Sequence, residues 1–246
     1  MRMVIAYCAC CILCASCASR HANLTPRPCD HTLPALFSMT GASSGVVIVA
    51  KTRIDLPRYR LRGICQIRYL PPDNLRIDFE HSSLFGTYRE DTSIFIHGRH
   101  MEIYDRERGH FFETDSSRAL ISEGVGFSLF PDDLIIALAL REPPCDEIEG
   151  ADLREGNGEW SLTGGWRTRR IAISGKRDVG PSVFRMCVEG SRDCYVVRYS
   201  YSDDRDDFRY PSRITLTHEN HLKRISMVIR KVEREPLDPS VFRWNG

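Results

Sequence analysis

The sequence predicts a mainly β protein of the α+β class, an open antiparallel β-barrel or strongly curved sheet of about ten strands with a short helical lid. Three observations predict it. Apolar and polar residues alternate with period two through most of the chain after residue 46, turn-forming stretches separate these runs, and one apolar helical segment interrupts them. With 246 residues, 42% hydrophobic residues and a net charge of +1, the chain suits one globular domain, residues 46–246, and gives no electrostatic case for nucleic acid binding.

The alternation is clearest in two runs near the start of this domain. Residues 61–69 carry apolar or small side chains mainly at odd-numbered positions, and in residues 75–80 apolar odd positions alternate with charged even ones. The turn sequence 71–74 (PPDN) separates the two runs. Strand-like runs recur along the rest of the chain, so the spacing predicts a meander of short antiparallel strands with one apolar face.

Two short helices are predicted where the alternation breaks, at 117–122 and 131–140. Pro131 suits a first helical position, and Asp132 and Asp133 complement the positive helix start. The second segment is apolar nearly all round, which is typical of a helix buried on several sides. The residues predicted to form the lid are Leu134, Ile135 and Leu138. Two interpretations stay open: a lid that fills an empty barrel and swings aside for a ligand, or a permanent plug.

Residues 1–17 predict a lipoprotein signal peptide. Arg2 precedes an apolar run of about ten residues and a small-residue exit, which is the layout of a secretory signal. A membrane-spanning helix would need about 20 apolar residues. The exit, residues 13–17 (LCASC), resembles the bacterial lipobox with Cys17 as the lipidated residue, although Cys14 stands where leucine is usual. Residues 18–45 predict a tether that includes a short helix at 33–39. An ordinary cleaved signal and a cytoplasmic chain with an accidental cysteine cluster are the alternatives.

Five further cysteines follow the signal segment, an odd number, so at least one stays free or pairs between chains. Cys187 and Cys194 flank a turn-like stretch between two strand-like runs, and a cross-strand disulfide is one interpretation for an oxidising compartment. Two buried free thiols are the other, because cysteine packs well as a small hydrophobe.

No motif predicts catalysis, a metal or a cofactor. Residues 41–45 (GASSG) match the GxSxG string, but the strand-like run follows the string instead of preceding it, so a flexible linker fits better than a nucleophile elbow. His97 with His100, and His218 with His221, bracket turns without a third ligand, and we interpret them as solvated turn histidines. The sequence therefore predicts a non-enzymatic protein, with a lipid hydrolase as a disfavoured alternative.

Three stretches of the predicted domain carry a resemblance to a known family. They are 60–63 (RLRG) with the strands ending in 83–86 (SLFG), the segment 124–134 (GVGFSLFPDDL), and the ending 211–229 followed by 236–242 (PLDPSVF). Together these stretches span about residues 46–242 and, in pattern and order, resemble the LolA/LolB superfamily of periplasmic lipoprotein-localisation factors.

The resemblance implies an unclosed β-barrel with a helical lid around a cavity that takes up acyl chains or a lipoprotein's lipid. Together with the lipobox, the resemblance implies a lipid-anchored protein of the cell envelope, at the outer membrane and facing the periplasm. By analogy with lipoproteins of enteric bacteria, in which Asp after the lipidated cysteine retains the protein at the inner membrane, Ala18 would permit delivery to the outer membrane. By position, Leu84 or Phe85 is the candidate for a loop residue that enters the bilayer, with an ordinary hairpin end as the alternative. We expect a monomer. The competing hypothesis is a structural or interaction lipoprotein with a plugged barrel and no lipid cargo.

Overall fold

The computed structural model describes residues 25–27, 45–57, 60–82, 88–98, 100–105, 109–115, 129–189, 193–202, 210–219 and 222–243. Within them the chain forms one antiparallel sheet of fourteen strands and one short α-helix. Three of the predicted site residues, Cys17, Leu84 and Phe85, lie outside the described residues, as does the predicted helix at 117–122.

The strands are, in chain order, β1 (Thr25–Arg27), β2 (Gly45–Asp55), β3 (Arg60–Leu70), β4 (Asn74–Ser82), β5 (Tyr88–His97), β6 (His100–Asp105), β7 (His110–Asp115), β8 (Ile148–Gly156), β9 (Glu159–Trp166), β10 (Arg169–Lys176), β11 (Gly180–Val188), β12 (Cys194–Ser200), β13 (Arg213–His218) and β14 (Arg224–Glu235). The helix α1 is Pro131–Ala137, between β7 and β8. Short 3-10 turns lie at Cys145–Glu147 and Pro239–Phe242.

The strand order of the sheet is β1-β8-β9-β10-β11-β12-β13-β14-β2-β3-β4-β5-β6-β7. Most neighbours are consecutive in the chain, as expected when short turns connect antiparallel strands. The exceptions are β14 with β2, which joins the last strand to the beginning of the domain, and β1 with β8. The outermost strands, β1 and β7, are not paired with each other, so the curved sheet stays open. This confirms the predicted mainly β class, the open antiparallel sheet and the short helix.

The described sheet has more strands than the sequence predicted. Thr25–Arg27, inside the segment predicted as a tether, forms an edge strand against β8. The alternation did not reveal β8 (Ile148–Gly156), because Gly150 adopts a φ of 62° and the strand bulges there. The helix ends at Ala137, short of residue 140, because Ala139 adopts a left-handed φ of 56° that α-helix cannot continue through.

The two faces of the sheet carry separate apolar clusters. The concave face holds the main core, and α1 packs into it. On the convex face Phe95 and Phe242 are buried, because the 3-10 turn near the chain end covers β4 and β5, and Val47 on β2 is buried on the same face. The two faces of the sheet are thus covered by different elements. Part of the concave face stays unfilled, and the position of α1 determines which part.

Candidate functional site

The helix α1 begins on a buried ion pair. Asp133 in its first turn accepts the backbone N–H of Phe130 at 3.0 Å, and its carboxylate lies 2.8 Å from Nε of Arg169 on β10. The Arg169 guanidinium also lies over the Phe130 ring, 4.6 Å from the ring centroid. Burial raises the pKa of Asp133 to about 6, opposed by the charge of Arg169. Removing either partner would leave an uncompensated buried charge, so the pair fixes this end of the helix on the sheet.

Two buried tyrosines hold the other end of α1. The hydroxyl of Tyr199 on β12 donates to the carbonyl of Ala137 at 3.1 Å, and the hydroxyl of Tyr210, just before β13, donates to the carbonyl of Leu138 at 2.5 Å. Burial raises the pKa of both hydroxyls, which keeps them protonated donors. The last carbonyls of a helix have no partner inside the helix, so these tyrosines satisfy them. A helix of seven residues is too short to be stable alone, and the side chains of the sheet hold it in place.

An apolar cavity of about 130 Å³ lies beside the helix. One wall is the helix face formed by Leu134, Ala137 and Leu138, and the other is the concave face of β2 to β5, β13 and β14. Aliphatic side chains dominate this sheet wall, with Phe79 as its one aromatic residue. No charged side chain of the described residues lines the cavity.

The polar groups of the cavity wall are few and uncharged. They are the hydroxyls of Thr52 and Thr92 and the thiol of Cys65. Cys65 is a buried free cysteine, and burial raises the pKa of its thiol to about 12, so the thiol stays neutral and unreactive. A cavity with such a wall suits an apolar ligand and offers no partner to an ionic one.

The three predicted lid residues divide between two surfaces of the helix. Leu134 and Leu138 line the cavity, whereas Ile135 is buried outside the lining. A spacing of three and four residues places Leu134, Ala137 and Leu138 on one helical face, which is the physical reason for the division. The cavity is present with α1 in its fixed position. The helix therefore fills one part of the concave face and walls a cavity over the other.

Cys187 and Cys194 lie directly opposite each other across β11 and β12. Their sulfurs are bonded, with an S–S distance of 2.15 Å. Cys145 is also disulfide-bonded. In the part of the chain that the structure describes, Cys65 is thus the free thiol, and it is the one that faces the cavity.

The histidine pairs do not both behave as solvated turn residues. His218 is only 9% exposed, forms a hydrogen bond with the carboxylate of Asp193 and packs edge-on against the ring of Tyr195. His97 forms a hydrogen bond with Asn74.

Over the described ranges, no group of three or more His, Cys, Asp and Glu side chains is arranged to hold a metal ion. Over the same ranges, no helix has the length and apolar character needed to cross a membrane.

The sequence prediction missed the residues that fix the helix. Arg169 shares the parity of the inward-facing Ile171 and Ile173 on β10, and Tyr199 shares that of Val197 on β12. A charged residue at an inward position is a signal for a buried partner, because arginine is almost never fully buried unless paired. Nothing local to these strands indicates that the partner is α1, which lies more than thirty residues earlier in the chain.

No family model and no curated protein matches this sequence. Solved structures do match its fold. A domain assigned to an outer membrane lipoprotein-sorting protein from Vibrio parahaemolyticus aligns with a TM-score of 0.57 and 9% identity, over 83% of this chain and 92% of that domain. A LolA superfamily protein from Nitrosomonas europaea aligns with a TM-score of 0.54 and 13% identity, over 87% and 96% of the two chains.

This chain shares the fold of a LolA superfamily protein. A DUF1329 family protein from Desulfovibrio piger shares it as well, with a TM-score of 0.58 and 10% identity over 86% of this chain and 97% of that one. Identities this low show the fold alone. The resemblance stated from the sequence is therefore confirmed as a LolA-like fold.

Proposed function

We propose that this LolA-like protein is a non-enzymatic, membrane-anchored lipoprotein of the cell envelope that binds acyl chains, or the lipid of a lipoprotein, in the cavity beside α1. The observation that carries the proposal is the cavity itself, a space of about 130 Å³ whose described lining contains no charged group. Binding without covalent chemistry also accounts for a neutral, unreactive thiol in the cavity wall.

The size of the cavity limits what it holds at rest. An engineered apolar cavity of about 150 Å³ in another protein takes up benzene, so the cavity beside α1 admits a short stretch of acyl chain. Each buried methylene contributes about 0.8 kcal/mol. The lining residues Leu56 and Leu61, beside the β2–β3 hairpin, are only partly buried. We place the entrance at this end, where a longer chain extends outwards.

The proposal gives the protein a fixed location. Lipid on Cys17 anchors it to the outer membrane on the periplasmic side, and residues 18–24 connect the anchor to the first described strand. Leu84 or Phe85 enters the bilayer from the segment between β4 and β5. The protein acts as a monomer in lipid or lipoprotein delivery, which the lipoprotein-sorting role of a protein with the same fold supports.

Native mass spectrometry tests the cargo. The chain from residue 18 onward, exported behind a cleavable signal, retains every described element. We expect it to carry phospholipid or acylated peptide and to take up a fluorescent fatty acid. Repeated recovery of empty protein that takes up no fatty acid would overturn the proposal. Anchoring is tested separately, because radiolabelled palmitate should mark the wild-type chain and leave the Cys17→Ser variant unlabelled.

The helix anchors favour a second candidate function, a structural or interaction lipoprotein with a plugged barrel. The buried Asp133–Arg169 pair and the Tyr199 and Tyr210 hydrogen bonds are the contacts expected of a permanent plug. In that case the cavity stays empty in every preparation. The protein would instead be recovered cross-linked to another envelope protein, and filling the cavity by mutation would leave this cross-link intact.

A further inference from the structure

A basic cleft of about 470 Å³ lies on the convex face of the sheet, behind the apolar cavity. Charged side chains from β2, β3, β13 and β14 line it: Lys51, Arg53, Asp55, Arg62, Arg213 and Arg224. Alternation along β2 places Lys51 and Arg53 on the face opposite to Ile54, which lines the cavity. The same few strands therefore separate an apolar cavity from a basic cleft.

The cleft has five cationic side chains and one carboxylate. That carboxylate, Asp55, is already paired with Arg53 at 2.9 Å and with Arg60 at 2.5 Å. Arg224 donates from Nε to the hydroxyl of Ser226 at 3.1 Å. Within the described part of the chain, Lys51, Arg62 and Arg213 form no ion pair with a carboxylate. The cleft is thus positively charged and still has unused donors.

The arrangement of these charges lowers the stability of the folded protein. Arg53 and Arg62 are directly opposite each other in the β2–β3 register. Like charges at such positions are destabilising, and Asp55 cannot offset both arginines while it also binds Arg60. An anion bound from outside would remove the repulsion. Guanidinium groups suit phosphate best, because their planar forks match two of its oxygens at once.

We infer that this cleft binds the phosphate-bearing headgroups of an anionic phospholipid surface. The inference deepens the proposed function and rests on it for the location of the membrane. Arg60 and Arg62 flank Leu61, which lines the apolar cavity at the end that the proposed function takes as its entrance. A lipid surface held by the cleft therefore lies beside the end of the cavity that acyl chains enter.

Vesicle binding tests the inference. The chain from residue 18 onward retains every described strand and the helix, and lacks the lipid anchor. We expect it to bind vesicles of phosphatidylcholine with phosphatidylglycerol, and not vesicles of phosphatidylcholine alone. Each basic residue near an anionic surface changes binding by about fivefold, so R62Q with R213Q should weaken it roughly 25-fold. Binding should also weaken as salt is added, because salt screens exposed charges.

A matched control removes the same charge from another part of the sheet. Arg170 and Lys176 are exposed on β10, and R170Q with K176Q should leave vesicle binding within about twofold of wild type. Equal loss in both double variants, or equal binding to the two vesicle types, would overturn the inference. The inference would also be overturned if the protein bound inorganic phosphate tightly but did not bind vesicles.

Fatty acid uptake separates this inference from the proposed function. If R62Q with R213Q loses vesicle binding but takes up the fluorescent fatty acid, the variant is folded. The cleft then contributes to vesicle binding and not to fatty acid uptake, as inferred. If the wild type binds anionic vesicles through these residues but takes up no fatty acid, the cleft stands and the cargo proposal fails. If R62Q with R213Q binds vesicles as the wild type does while taking up fatty acid normally, the inference fails and the cargo proposal stands.

Discussion

The two halves of the concave face differ in the size of the side chains that fill them. The half formed by β8 to β12 carries large aromatic residues, and Trp160, Trp166, Phe184 and Tyr195 are each 1% exposed. The half formed by β2 to β5, β13 and β14 is lined mainly by aliphatic residues and leaves a cavity of about 130 Å³. An aromatic side chain occupies more volume than an aliphatic one, so the same number of inward positions fills more of the concave face in the aromatic half. The difference in side-chain volume therefore agrees with the position of the cavity in the aliphatic half.

The attachments of the helix follow the same division. Arg169 on β10 and Tyr199 on β12, both in the aromatic half, hold the two ends of α1, and Tyr210, just before β13, adds a second hydrogen bond at the later end. The helix is thus part of the packed half, and only its Leu134–Leu138 face borders the cavity. A ligand in the cavity of the aliphatic half would therefore not require the helix to move. This combines the two interpretations of the helix that the sequence left open, a plug on one side and a cavity wall on the other.

Replacing one phenylalanine in each half gives the largest expected effect. Phe184→Ala should lower the free energy of unfolding by about 3–5 kcal/mol, because its side chain is fully enclosed and leaves a new cavity. Phe79→Ala should cost less than about 2 kcal/mol, because Phe79 is only partly buried and already borders empty space. Urea unfolding of both variants measures the difference. Equal losses would mean that the aliphatic half is packed as tightly as the aromatic half.

A change of pH tests the ion pair that joins α1 to the aromatic half. The native pKa of Asp133 is about 6 and its ordinary value is 3.8, so the folded state binds the proton more tightly. The contribution of this group to stability is therefore fully present below about pH 4 and is lost as the pH rises through 6. Compared with Asp133→Asn, the wild type should lose on the order of 2 kcal/mol between pH 4 and pH 7.

Urea unfolding of the wild type and Asp133→Asn at several pH values measures this loss. The asparagine keeps an oxygen that can accept the Phe130 N–H, so the variant isolates the charge. Parallel pH curves for the two proteins would contradict the prediction. They would mean that the attraction of Arg169 fully offsets the burial of the Asp133 carboxylate.

The sequence predicted the strands and the helix better than the contacts between them. Period-two alternation located most strands, and Pro131 with Asp132 and Asp133 located the helix start, because these signals are local. The strands it missed, β1 and β8, pair with each other, one being three residues long and the other interrupted at Gly150. Which helix residues face the cavity could not be predicted, because that depends on side chains far along the chain such as Arg169 and Tyr199. When a helix is apolar on all sides, its sequence does not indicate which side borders the cavity.

Filling the cavity from the helix has the smallest expected effect on stability and bears most directly on function. Ala137 lines the cavity, and Ala137→Leu puts an isobutyl group into that space with little change in helix propensity. The free energy of unfolding should change by less than about 1 kcal/mol, while fatty acid uptake is lost. Ile135→Leu, a swap of equal volume outside the lining, is the control and should keep both properties. If Ala137→Leu binds fatty acid as tightly as the wild type, the ligand does not occupy the aliphatic half, and the difference between the halves is one of packing only.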